Sequence, residues 1–177
     1  MFEDLLEQAR VLAKLDTRGK PRQANLRRAV SSLYYALFHF LVERACRAII
    51  GSQNLQRGYR DALARGFSHS TMKSACASFE AGSLPNSVSK PLPKNGQGQV
   101  LIEPEIRKLA FVFRDLQNMR HLADYDPSER FERSEVLSLI DAVEAEIRAF
   151  EGLAATDRRH FFLVCLLTWK ELLGRPG

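Results

Sequence analysis

The chain predicts an all-α fold, a helical bundle of five to six helices around one long central helix. Three observations carry this. Apolar residues recur at three- and four-residue intervals in long segments that lack Gly and Pro. No segment alternates with the two-residue period of a strand. Gly and Pro are modest in number and cluster in one stretch, Gly82 to Gly98, so most of the chain reads as folded. At 177 residues the chain is long enough for one domain with its own core, without staples or metals.

The first element runs through Phe2, Leu5, Leu6, Ala9, Leu12 and Ala13, an amphipathic helix stopped by Thr17-Arg18-Gly19-Lys20-Pro21. From Arg22 to Ile50 there is no Gly or Pro. Val30, Leu33, Tyr34, Leu37, Phe40 and Leu41 form the apolar face of the long helix, and Gly51 ends it. Residues 54–65 read as helix broken at Gly66, and Ser70 to Glu80 resumes with Ser70 as the cap. The segment of about 82–103 reads as a mobile loop too polar to pack. Pro104 opens the next helix, where its missing N–H costs nothing, and Pro127 ends it near Asp126. Ser134 is expected to cap a further helix along Val136, Ile140, Val143, Ile147 and Phe150. A last apolar helix over about 156–173 starts at Thr156 or Asp157 and stops at Gly174. The core is expected over about 2–152, with the C-terminal helix closing it or extending an interface.

The net charge is +5 and unevenly placed. Residues 1–100 hold 15 Lys or Arg against 7 Asp or Glu, whereas 101–177 hold 11 against 14. Most of the cations are Arg, whose planar fork suits phosphate, so a basic half permits RNA binding alongside the plainer reading of a solvated face. Cys46, Cys76 and Cys165 are odd in number and widely spaced, which argues against a disulfide framework or a zinc site and for a cytoplasmic protein. Glu3, Asp4 and Glu7 stand where a secretion signal would carry positive charge. The longest apolar run, Phe161 to Trp169, is too short to span a bilayer, so no membrane role is expected. Gly-rich phosphate loops, paired carboxylates and metal-ligand clusters are absent from the sequence, and neither a metal nor a cofactor is expected.

On a helical wheel, Arg120 and Asp124 fall in the arc of Ile106, Phe113 and Leu116 and point inward as an i, i+4 pair. Arg114, His121 and Tyr125 share a neighbouring stripe at the margin of the buried face. A buried Arg–Asp pair that fixes a helix end is one reading of the first group. The second group offers an imidazole to move a proton and a guanidinium to hold a phosphate, sufficient parts for RNA cleavage without a metal. In the long helix Tyr34 and Phe38 share one face, and Tyr35 and His39 another. Two adjacent tyrosines cannot both be central in a core. One hydroxyl is expected to reach Asp124 or Arg120, and His39 is expected half-buried and satisfied.

The phrase Ala29–His39, with its Ser-x-x-Tyr-Tyr-Ala-x-Phe-His pattern, followed by Arg120-x-x-Ala123-Asp124-Tyr125, resembles the HEPN superfamily over roughly residues 5–150. The similarity is to small bacterial and archaeal members with an Arg-x-x-Ala-Asp-Tyr motif. It implies a four- or five-helix bundle that forms a homodimer, often with the Arg-bearing helices meeting at a shared cleft. Many such proteins are metal-independent endoribonucleases, some of them toxins beside a nucleotidyltransferase-type antitoxin and others effectors of phage defence. Their nuclease motif is an Arg with a His five to seven positions later. Arg120 takes the Arg position here, but Tyr125, Asp126 and Pro127 stand where the His would be. Counted from Arg114, the seventh position is His121. The resemblance therefore leaves two functions open: an endoribonuclease using Arg120, His121 and Arg114 with Asp124, Tyr125, Tyr35 and His39 in support, or a non-catalytic module that binds RNA, a nucleotide or a partner protein.

Overall fold

A computed structural model of the chain describes residues 1–15, 20–90 and 92–174. It is all-helical, with 76% of residues in helix, no strand, and eight α-helices among the described residues. These are α1 (Phe2–Lys14), α2 (Gln23–Ile50), α3 (Arg57–Ala64), α4 (His69–Ala81), α5 (Asn86–Ser89), α6 (Pro104–Tyr125), α7 (Arg133–Gly152) and α8 (Asp157–Leu173). The count exceeds the five to six expected; the break at Gly66 between α3 and α4 falls where the sequence places it, and a one-turn helix, α5, forms in addition inside the segment read as a loop. The stop expected at Thr17, Arg18 and Gly19 lies outside the described residues, as does Pro91. No helix among the described residues is long and apolar enough to cross a membrane.

The chain divides into two compact units, residues 1–40 with 112–148 and residues 41–111 with 149–177. In the first unit, α1, the start of α2, the end of α6 and most of α7 bury Ala9, Leu26, Val30, Leu33, Leu37, Phe113, Leu116 and Val143. Tyr34 is fully buried and its ring lies 5.7 Å from Phe113, while Phe2 meets Phe40 edge-on at 5.3 Å. Polar ties surround this core: Arg10 of α1 bonds Asp141 at 2.7 Å and Glu144 at 3.0 Å on α7. α7 begins one residue before the expected Ser134 cap. The Glu135 carboxylate reaches back to accept the Glu132 N–H at 3.3 Å, an arrangement that satisfies one of the donors left open at a helix start.

In the second unit α8 packs on α4. Phe162 sits 4.9 Å from Phe79 and 6.1 Å from Phe150, and Trp169 is 6.2 Å from Phe79. The apolar residues of α8 thus close the core of this unit. Ser68, not Ser70, caps α4: it is extended at φ −121° and accepts the Thr71 N–H at 3.2 Å. Thr156 caps α8 by accepting from the Arg159 N–H. Gly51, at φ +104°, turns the chain out of α2 with a backbone that a side chain would strain. Part of the segment 82–103 packs after all, with Val88, Ser89 and Leu92 buried and α5 lying on α8. An isolated bridge joins Lys94 to Val100.

Candidate functional site at the end of α6

The polar end of α6 takes shape from one stripe of α2. Arg27, Ser31 and Tyr35 are four residues apart, so they lie one above the other on a single helix face. All three meet the last two turns of α6 or the loop after it. The order of the contacts makes the two segments antiparallel: Tyr35 meets Arg120, Ser31 meets Asp124, and Arg27 meets Ala123 and beyond.

At the centre, Arg120 Nη2 donates to the Tyr35 hydroxyl at 3.0 Å, and Arg120 Nε approaches Asp124 Oδ2 at 2.7 Å. The second contact is an ion pair rather than an aligned hydrogen bond, because the Nε–H does not point along it. The Ser31 hydroxyl donates to the other Asp124 oxygen at 2.6 Å. The guanidinium also stands 5.5 Å from the Tyr35 ring and 5.9 Å from the Tyr125 ring. Arg120 and Asp124 do not point wholly inward: their side chains are 24% and 26% exposed. The pair sits at the rim of the core, where long side chains keep their heads near water.

Arg27 completes the end of α6. Its Nη1 donates to Ala123 O at 2.8 Å, and its Nη2 donates to Asp126 O at 2.8 Å and Glu129 O at 2.6 Å. A cation on the last carbonyls of a helix is favoured by their partial negative charge as well as by the hydrogen bonds. Beyond it, the Ser128 hydroxyl and N–H bond Asp126 Oδ1 at 2.6 Å and 2.9 Å, which holds the Asp126 carboxyl below the ordinary carboxylate range.

The remaining candidates are placed as follows. His121 is exposed and its ring lies 4.9 Å from that of Tyr125, itself 66% exposed. Arg114 is half-buried and starts about 10 Å from His121 along the helix axis, a separation of seven residues. His39 is half-buried with its ring 5.4 Å from Phe38. The structure therefore brings Arg120, Asp124, Tyr35 and Tyr125 together, with the exposed His121 ring beside that of Tyr125. Arg27 and Ser31 were missed in the sequence, although 27, 31, 35 and 39 recur at a four-residue spacing along one stripe of α2, which is a readable signal.

Chemically, the site presents a guanidinium whose charge is already opposed by a carboxylate. Through Tyr35 the same group ties α6 to α2, and a phosphate reaching it would compete with that carboxylate. No group of three or more His, Cys, Asp or Glu side chains among the described residues is placed to hold a metal ion. No protein-family model, curated protein or solved structure matches the chain.

Proposed function

We propose that the chain is a HEPN-like domain that associates with RNA and acts by binding rather than cutting. The paired phrases at Ala29–His39 and Arg120–Tyr125 support the family reading. The charge supports a polyanionic partner: the second unit carries 14 Lys or Arg against 8 Asp or Glu, and the first carries 12 against 13, so the basic surplus belongs to the second unit. The observation that carries the non-catalytic reading is the engagement of Arg120 by Asp124 and Tyr35. A guanidinium that stabilises charge developing on phosphorus must face the substrate. Here a phosphate would first have to displace a carboxylate that Ser31 also holds.

A second reading, a metal-independent endoribonuclease, has one observation in its favour. Tyr125 is flanked by the exposed His121 ring and by the Arg120 guanidinium, so a proton carrier and a cation share one exposed phenol. The proposal includes a homodimer, for which light scattering would return twice the 20.1 kDa chain mass. A nucleotidyltransferase-type partner is the accompanying possibility, tested by co-purification with the product of an adjacent gene.

The direct experiment is a fluorescence-anisotropy titration of labelled transfer RNA at several salt concentrations. Saturable binding that weakens steeply with salt supports the reading. A flat titration at low salt with folded protein sinks it.

A further inference from the structure

A pocket of about 650 Å³ opens in the first unit, where the residues preceding α2 meet the start of α7. Its volume lies within the range of roughly 300–1,000 Å³ typical of small-molecule sites. Among the described residues, three cationic side chains line it, Lys20, Arg130 and Arg133, against a single carboxylate, Glu132. This reverses the balance of the unit around it, where acids slightly outnumber bases. Cations crowded at one cavity repel each other, and an anion relieves that repulsion.

The frame of the pocket is held in place by its own bonds. The Gln23 amide clasps the Phe131 backbone twice, donating to its carbonyl at 2.8 Å and accepting from its N–H at 3.0 Å. Arg133 Nη2 donates to Leu15 O at 3.0 Å, which anchors that guanidinium at the wall. By contrast, Lys20 and Arg130 are exposed and have neither a hydrogen bond nor an ion pair from their side chains among the described residues. The pocket therefore combines a fixed frame with two exposed cations. Pro21 and Leu137 give it an apolar wall.

We propose that this pocket binds a small organic phosphate, with the phosphate on Lys20, Arg130 and Arg133 and the organic body on Pro21 and Leu137. A phosphate monoester carries up to two negative charges near neutral pH and offers oxygens that match an Arg fork. The net charge of the lining, three cations against one anion, fits that dianion better than a monocarboxylate. The Ser134 hydroxyl, also on the lining, is a further hydrogen-bonding group. This inference stands independently of RNA association.

The test is isothermal titration calorimetry of the full chain with adenosine 5′-monophosphate, ribose 5-phosphate and, as the phosphate-free control, adenosine. Wild type is expected to bind at least one phosphate ester saturably at one site per chain and to ignore adenosine. The double variant Lys20→Ala/Arg130→Ala is expected to lose at least tenfold in affinity with an unchanged circular-dichroism spectrum, since both side chains are exposed. Three results would overturn the proposal: no saturable binding of either ester, undiminished binding by the variant, or equal binding of adenosine.

Discussion

Breaking the Arg120–Asp124 pair is the most informative perturbation of the first unit. An exposed ion pair contributes about 0.2–1 kcal/mol, and removing one member of a buried pair costs about 3–5 kcal/mol. With side chains 24% and 26% exposed, this pair lies between those limits, and Arg120→Ala is expected to cost about 2 kcal/mol. Asp124→Ala also orphans the hydroxyl of Ser31, a residue only 2% exposed, which adds about 1 kcal/mol. The double variant should lose little more than Asp124→Ala alone, leaving a coupling energy of about 1–2 kcal/mol. Urea denaturation followed by circular dichroism measures all four corners of the cycle. With a slope of about 2 kcal/mol/M, Asp124→Ala moves the midpoint by about 1.5 M. Additive losses, with coupling below about 0.3 kcal/mol, would refute the claim that the two side chains act as one unit.

Other outcomes follow from the same contacts. Arg27→Ala removes charge-assisted bonds from the carbonyls of Ala123, Asp126 and Glu129 and is expected to cost about 3 kcal/mol, with faster amide exchange over residues 126–130 and partial recovery in Arg27→Lys. Ser68→Ala deletes the cap of α4 and should cost about 1 kcal/mol by the same urea assay. Burial pushes the Cys165 thiol up to about 12 from an ordinary value of 9.0. Because the folded state holds the proton more tightly, stability is whole below pH 9 and declines as the pH rises towards 12, by up to about 4 kcal/mol. Cys165→Ala should flatten that alkaline decline in a pH series of melting curves, and an unchanged slope would contradict it.

Much of the helical frame was legible in the sequence because local chemistry decides it. Pro104 can only begin a helix cheaply, and Pro127 biases the residue before it away from helix, so α6 had few other places to start and stop. Gly51 and Thr156 likewise acted where they stand. The caps that moved show where local rules tie. Ser68 and Ser70 are equally good caps in isolation, and the choice fell to Ser68, whose hydroxyl also reaches Thr71 Oγ1 at 2.7 Å. Ser134 lost its role because Glu135 serves Glu132 instead. Val88 and Leu92 are buried although the residues around them are polar, and α5 packs on α8, a contact between distant segments that local composition does not show. At the candidate site, the inward pair at Arg120 and Asp124 was readable from spacing, but its partial exposure was not. The exposure of a rim residue depends on neighbours far away in the chain. Arg27 was hidden for the same reason, since its acceptors lie 95 to 102 positions away and are backbone carbonyls with no side-chain signature.

The central claim is that Arg120 holds the end of α6 rather than a scissile phosphate. The most direct measurement is cleavage of transfer RNA and total RNA by purified protein in EDTA, with Arg120→Ala and His121→Ala beside wild type. The account predicts intact RNA with all three proteins, and a lowered melting temperature only for Arg120→Ala. Cleavage by wild type that disappears in both folded variants would contradict it and make the end of α6 a nuclease site.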